Sequence, residues 1–140
     1  MRQEALKIPF LLSHATRLLT RHADASLNEL GLTAAQIPVL HALKEGRAGH
    51  QKELAALMEV EQPAMAELLG RMERDKLIHR TTDPADRRSR RVELSALAKR
   101  KIGPAQLALQ AGLDVALAGL TRQEVEQLSR LLGRLVSSLE

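Results

Sequence analysis

Residues 83–94 form the part of the sequence whose residue types point most clearly to a chemistry. Four arginines follow two aspartates and a proline within this stretch. A guanidinium carries a fixed fork of N–H donors that matches the oxygens of a phosphate, and Pro and Asp favour turns. We therefore expect an arginine-bearing turn between two short extended segments, which is a form suited to contacting phosphates.

Positive charge is concentrated around this stretch. Residues 71–101 contain eleven Lys or Arg and five Asp or Glu, whereas the rest of the chain contains ten and twelve. One part of the chain therefore carries the whole formal net charge of +4. Such an asymmetry indicates a nucleic-acid surface; a merely solvated basic face is the alternative.

The elements before the arginines have the spacing of a helix-turn-helix. Apolar periodicity predicts one short helix over residues 51–58 and a second from Pro63 to about Asp75, with a turn around residues 59–61. The outward residues of the second helix would be Gln62, Pro63, Ala64, Glu67, Gly70, Arg71 and Arg74. The alternating runs 77–81 and 91–94 are expected to pair as a hairpin, and a hairpin in this place is a wing.

Helices are predicted on both sides of this unit. One covers residues 9–30; a shorter one begins at Thr33, where Gln36 completes a capping box, and should be kinked by Pro38. Two more cover residues 95–119, with a bend at Gly103-Pro104, and residues 121–139.

The terminal helices carry more apolar residues than a small winged domain covers, which predicts a symmetric homodimer. We expect a mostly α fold in three parts: an N-terminal dimerisation helix (1–31), a winged helix-turn-helix domain with a two-stranded β wing (32–97), and C-terminal dimerisation helices (98–140).

Several classes of protein are disfavoured by composition. The chain has no Cys, which removes disulfides and thiolate metal sites. Its apolar runs are shorter than the roughly 20 residues that span a bilayer, and its start does not resemble a signal peptide. The five His lack ligand spacing, and there is no glycine-rich phosphate loop. We therefore expect a cytoplasmic protein that is not an enzyme, has no cofactor and does not bind a membrane.

Three motifs, in this order and spacing, carry a family resemblance: Leu32-Thr33-x-x-Gln36-x-x-Val39-Leu40, then Leu68-Leu69-x-Arg71-Met72-Glu73-x-Asp75-x-Leu77-Ile78, then Asp83-Pro84-x-Asp86-Arg87-Arg88. On these motifs the chain resembles the MarR family of bacterial transcription regulators over nearly its whole length. It departs from the family pattern at Glu59, Lys76 and Ala98, three positions where Gly is frequent.

The resemblance implies a homodimer that binds a pseudo-palindromic DNA operator, expected to act as a repressor. It implies that Arg88 enters the minor groove with Asp86 orienting its guanidinium, while Arg87, Arg90 and Arg91 hold phosphates. On the recognition helix, Gln62 suits adenine, Glu67 suits cytosine, and Pro63 and Ala64 suit thymine methyl groups; Arg71 and Arg74 suit phosphates.

The resemblance also implies a small phenolic or aromatic carboxylate ligand that releases the protein from DNA. The polar groups expected nearest to its cleft are His14, Arg17 and His41, whose imidazole or guanidinium groups suit a carboxylate. Two other classes stay open at this point: a metal-responsive winged-helix regulator, and an architectural protein that binds DNA without sequence preference.

Overall fold

The fold is mostly helical with one two-stranded antiparallel sheet, as the sequence predicts. The computed structural model describes residues 2–140 and, within them, every side chain except that of Arg87. In chain order the elements are α1 (Arg2–Leu27), α2 (Ile37–Lys44), α3 (Gln51–Leu57), α4 (Gln62–Arg74), β1 (Ile78–Asp83), β2 (Asp86–Leu94), α5 (Ala96–Ala116) and α6 (Arg122–Leu139). Single 3-10 turns, Asn28–Leu30 and Ala34–Gln36, precede α2.

The first helix begins earlier and ends earlier than predicted. It contains Pro9 in its interior and gives way to a 3-10 turn after Leu27. In a helix interior, proline removes one intrahelical hydrogen bond and disfavours the helix, but it does not necessarily end the helix. The preceding residues, Glu4 to Lys7, are good helix formers, so they extend the helix on the N-terminal side of Pro9.

The kink predicted at Pro38 is wrong. The turn Ala34–Gln36 is a 3-10 turn and α2 begins only at Ile37, so Pro38 lies in the first turn of the helix. A residue in that position has no intrahelical acceptor for its N–H, and proline loses nothing there. The Gln36 side chain does accept the Thr33 N–H at 3.1 Å, as the capping box predicts.

Four helical segments end in the same left-handed turn. At Gly31 and Gly46, φ is 69° and 68°. At Glu59 and Lys76, φ is 56° and 62°, although both residues carry a Cβ. Glu59 and Lys76 are two of the three positions where the sequence departs from the glycine of the family pattern. The two non-glycine turns lead from α3 into α4 and from α4 into β1, so they orient the recognition helix and the wing.

One apolar core fixes the winged part of the chain. Leu40, Leu54, Met65 and Leu69 of the three short helices are at most 1 % exposed. Residues from the flanking segments join the same core, namely Leu27, Ala98, Ile102 and Ala105. Because α5 begins inside this core, the winged helix-turn-helix unit packs directly against the flanking helices. The three-part division of the chain stays a prediction.

The long helices keep apolar side chains exposed. On α1 these include Leu6 and Phe10, at 74 % and 68 % exposure. On α6, Leu128, Leu131, Val136 and Leu139 are all exposed, and no residue of that helix is buried. Within residues 2–140, therefore, α6 lacks the cover that its apolar face requires.

None of the helices in residues 2–140 is long and apolar enough to cross a membrane.

Candidate nucleic-acid interface

The outward face of α4 has the residues that the sequence predicts. Gln62, Pro63 and Ala64 are exposed in its first turn, and Glu67, Arg71 and Arg74 are exposed farther along. Met65, Leu69 and Met72 point into the core. Helical periodicity produces this division, because residues three and four apart share a face. The result is a rigid helix that presents a polar, partly cationic surface.

A buried side chain fastens the far end of α4. Gln36 is 1 % exposed, and its amide donates to the Asp75 carboxylate at 3.3 Å. The same side chain accepts the Thr33 N–H. Because both the oxygen and the nitrogen of this buried amide are hydrogen-bonded, they fix the relative orientation of the two elements more specifically than apolar packing does. Gln36 thus connects the start of α2 with the end of the recognition helix.

The wing is a longer hairpin than predicted. Its strands reach Asp83 and start again at Asp86, so only Pro84 and Ala85 lie between them. The arginines at positions 87, 88, 90 and 91 are strand residues of β2 rather than loop residues. The prediction of short strands was wrong because arginines have no β preference, whereas pairing with β1 decides the conformation. The side chain of Arg87 lies outside the described part of the structure.

Two carboxylates shape the tip of the wing. Asp83 accepts the Ala85 N–H at 2.9 Å, and Asp86 accepts the backbone N–H of Arg88 at 3.0 Å. The bond from Ala85, followed by the bond from the His50 side chain, lowers the pKa of Asp83 below its ordinary value. The expected pair between Asp86 and the Arg88 guanidinium is not formed among the described side chains; Asp86 orients the backbone of Arg88 instead.

The alternation of the strand sorts the arginines onto two faces. Arg88 and Arg90 share one face with Arg80, which is paired with Val92 across the hairpin. Together with Lys52 and Gln62 they border an open groove of about 460 Å³ between the wing and the helix-turn-helix. We call this space the wing groove. It brings four cationic side chains next to the first turn of the recognition helix.

Arg91 lies elsewhere. Its side chain borders a second cleft of about 760 Å³, formed by the loop after α2, by β2 and by the start of α5. We call this space the lateral cleft. Its cationic residues are Lys44, Arg47, Arg91 and Lys99, and Leu43, Val92, Leu94 and Ile102 are among its apolar residues. The structure therefore separates the side chain of Arg91 from those of Arg88 and Arg90, with which the sequence grouped it.

Arg80 and Lys52 are two further cationic residues of the wing groove that the sequence did not predict. Lys52 is exposed in the first turn of α3. The Arg80 guanidinium lies 3.9 Å from the Glu73 carboxylate, and its buried Nε has no hydrogen-bond partner among the described side chains. The polar face of the predicted helix was a sufficient signal for Lys52. Arg80 gave no such signal, because its position depends on the pairing of the hairpin.

The three residues predicted to hold a ligand do not share a cavity in the described chain. His14 is exposed on α1 beside Phe10, with 6.2 Å between the ring centroids, and Arg17 is exposed and donates to Ser13 at 2.7 Å. His41 lies half-buried in a crevice between α2 and α5 that is too narrow for a water molecule. The lateral cleft, in contrast, is within the usual size range of ligand pockets.

Within residues 2–140, no group of three or more His, Asp or Glu side chains is arranged to hold a metal ion. His50, Glu53 and Asp83 do lie together, but the two carboxylates are at opposite ring nitrogens, 2.7 Å from each. Each ring nitrogen is therefore already engaged by a carboxylate, and no coordinating nitrogen is left for an ion.

The fold and this surface define a winged helix-turn-helix protein. Residues 30–89 match the family model described as the MarR family. These residues are thus similar to the MarR family, and the chain as a whole has the fold of the solved MarR-type transcription regulators.

Solved structures of similar shape cover nearly all of the chain. An E. coli MarR mutant complexed with operator DNA has a TM-score of 0.85 and 23 % identity, over 94 % of this chain and 95 % of that one. The S. aureus MepR–DNA complex has a TM-score of 0.81 and 23 % identity, over 93 % and 96 %. The transcriptional regulator SlyA has a TM-score of 0.80 and 26 % identity, over 94 % and 93 %.

Proposed function

We propose that this protein is a cytoplasmic, homodimeric transcription regulator that binds a pseudo-palindromic DNA operator and represses the adjoining gene. The observation that carries the proposal is the wing groove, where the exposed turn of α4 and the cationic face of the wing meet. The two structural neighbours solved with DNA support the same use of the fold.

The two elements would contact DNA in different ways. The first turn of α4 would enter the major groove, with Gln62 and Glu67 reading base edges and Pro63 and Ala64 touching methyl groups. Arg88, at the end of the hairpin, would enter the adjacent minor groove, whose negative potential attracts a guanidinium. The remaining cations, namely Lys52, Arg71, Arg74, Arg80, Arg87, Arg90 and Arg91, would contact phosphates and fix the position of the helix.

The exposed apolar faces of α1 and α6 support a dimer, in which a second copy of the chain would bury them. An uncovered stripe such as Leu128, Leu131 and Val136 is costly in water, and a two-fold axis lets one surface cover its own counterpart. A two-fold dimer carries two recognition helices, so the operator should have two half-sites about 10 base pairs apart.

The experiment that tests binding begins with selection of a preferred duplex from a random library, followed by footprinting. We expect protection of two related half-sites. A footprint over a single half-site would contradict the dimer. In competition at physiological salt, the selected duplex should bind about a thousandfold more tightly than bulk DNA; equal binding would favour the architectural alternative.

The wing is tested by Arg88→Ala on the selected duplex. Loss of one minor-groove contact should weaken binding and lower the salt-dependence slope by about 0.9 or less. Arg122→Ala is the matched control, because Arg122 is 92 % exposed and its ion pair in the described structure is with Glu126 on the same helix, α6. Equal effects of the two substitutions would remove the wing from the mechanism.

A reporter gene with the operator placed at its promoter distinguishes repression from activation.

A small aromatic or phenolic acid would act as the inducer. The lateral cleft supports this part of the proposal, since it combines an apolar lining with Arg47 and Lys99 and touches both the wing and α5. A ligand there shifts the equilibrium only by binding the released form more tightly.

A panel of benzoate and hydroxybenzoates should stabilise the protein thermally and release it from DNA. Lys99→Ala would abolish the effect if the cleft binds the ligand, whereas His41→Ala or Arg17→Ala would abolish it if the predicted His14, Arg17 and His41 site does. No effect of any compound would refute both sites. For the metal-responsive alternative, equilibrium dialysis against zinc, cobalt and nickel should show no stoichiometric binding.

A further inference from the structure

His50 lies between the helix-turn-helix and the wing. It is the residue immediately before α3, and its side chain is 27 % exposed. Its Nδ1 is 2.7 Å from a carboxylate oxygen of Glu53 on α3, and its Nε2 is 2.7 Å from a carboxylate oxygen of Asp83 at the end of β1. One imidazole ring therefore links two elements that would contact DNA separately.

The backbone around His50 joins the same two elements at another point. His50 forms a bridge with Arg91 of β2, and the Val92 N–H donates to the Gly49 carbonyl at 2.7 Å. These bonds hold the base of the wing, beside Val92. The bond to Asp83 lies farther along the hairpin, next to the turn in which Asp83 accepts the Ala85 N–H. Among the contacts of the described residues, only the side-chain link therefore reaches the end of the wing that carries Arg88.

Both contacts of the ring require the same protonation state. Ionised carboxylates only accept hydrogen bonds, and a neutral imidazole has a single N–H. The imidazolium has two N–H groups and satisfies Glu53 and Asp83 together. After deprotonation, one ring nitrogen presents a lone pair to a carboxylate oxygen, which is repulsive, and that contact opens.

We propose that His50 is a positioning residue whose protonated ring holds the wing against the helix-turn-helix, so that DNA affinity falls when the ring loses its proton. The proposal rests on the DNA-binding function proposed above and adds its regulation by pH. His50 itself touches no base or phosphate in this scheme, because both ring nitrogens are engaged by carboxylates.

The surroundings of the ring give the pH range. The hydrogen bond to Glu53, and next the bond to Asp83, raise the pKa of His50 above its ordinary value of 6.5. The charged groups that border the same clefts are Lys44, Arg47, Lys52, Arg80, Arg88, Arg90, Arg91 and Lys99, with Asp86 and Glu93. Their net positive charge opposes protonation, but the two carboxylates in direct contact outweigh it. The link is complete below pH 6.5 and is lost as the pH rises through the raised pKa.

The first test needs no DNA. NMR titration of the imidazole ring in the whole protein should give a His50 midpoint above 6.5, and Asp83→Asn should lower it. Asparagine keeps the acceptor for the Ala85 N–H, so this variant preserves the turn. His79→Gln is the matched control, because His79 pairs with Glu93 at 3.3 Å across the wing without touching α3. A His50 midpoint at 6.5, unchanged by Asp83→Asn, would overturn the proposal.

The second test measures affinity for the selected duplex between pH 6 and pH 8.5 at constant ionic strength. Wild type and His79→Gln should bind the duplex more weakly as the pH rises. The midpoint of this fall in affinity should equal the His50 midpoint from the NMR titration. His50→Gln and Asp83→Asn should have flat profiles. The salt-dependence slope should be the same in wild type and His50→Gln. A slope lowered by about 0.9 would instead show that the His50 cation contacts a phosphate and would overturn the positioning role.

The two proposals fail differently. If no duplex is bound at any pH, the DNA-binding function fails, while the NMR titration still decides whether the link exists. If DNA is bound but the profiles of wild type and His50→Gln have the same shape, the positioning role fails and the DNA-binding function stands.

Discussion

Replacing Lys76 by glycine should stabilise the protein, because the backbone at this residue has a conformation that a side chain disfavours. Lys76 has a φ of 62° in the turn from α4 to β1. The Leu77 N–H bonds to the Met72 carbonyl at 2.9 Å, and the Ser95 hydroxyl bonds to the Lys76 carbonyl at 2.7 Å. These bonds fix the turn, so the strain persists in the folded state.

The size of the effect follows from two opposing contributions. A residue with a Cβ in the left-handed region costs roughly 1–2 kcal/mol relative to its favoured conformations. Glycine gives back about 0.5–1 kcal/mol, because it raises the conformational entropy of the unfolded chain. Lys76 is exposed and loses little packing on truncation. We expect the free energy of unfolding to rise by about 0.5–1 kcal/mol and Tm by about 2–4 °C.

The assay is urea unfolding followed by circular dichroism, at one protein concentration for all variants. Lys76→Ala removes the charge and the long side chain but keeps the Cβ, so it should differ from wild type by less than about 0.5 kcal/mol. Gln110→Gly, at an exposed position inside α5, should cost about 1 kcal/mol. Backbone strain at Lys76 is excluded if Lys76→Gly destabilises the protein as Gln110→Gly does, or if its stability equals that of Lys76→Ala.

Four further predictions each concern a single residue. Glu59→Gly, at a φ of 56°, should also stabilise by about 0.5–1 kcal/mol, measured by the same unfolding assay. Leu69→Ala removes a fully buried side chain and should cost about 2–5 kcal/mol in the free energy of unfolding. Gln36→Ala leaves the Thr33 N–H without its side-chain acceptor and should cost about 1–3 kcal/mol; retained stability would show that water replaces the bond. Because the folded-state pKa of His50 is raised, its contribution to stability should be complete below pH 6.5 and decline as the pH rises through the folded-state value; in unfolding measured over a pH series, His50→Gln should lack this decline.

Much of the local structure could be predicted from the sequence. The helices of the helix-turn-helix, the capping boxes that begin at Thr33 and Thr121, and the left-handed turn at Gly31 all depend on residues within four positions of one another. The errors were local as well. At Pro38 the helix start was placed one turn too early, and in the wing the strands were ended where β-forming residues end, although pairing extends them to Asp83 and Asp86.

Sequence pattern alone establishes that the chain is mostly helical, that its arginines are concentrated on one hairpin, and that its ends carry long apolar stripes. Periodicity and composition are enough for this, because each is a property of neighbouring residues. Tertiary packing puts Arg80 and Lys52 in one groove with Arg88 and directs Arg91 to the lateral cleft. It alone placed His50 against Asp83, 33 positions away. Such contacts depend on how the hairpin pairs and docks on α3. No pattern of neighbouring residues predicts a contact between residues so far apart in the sequence.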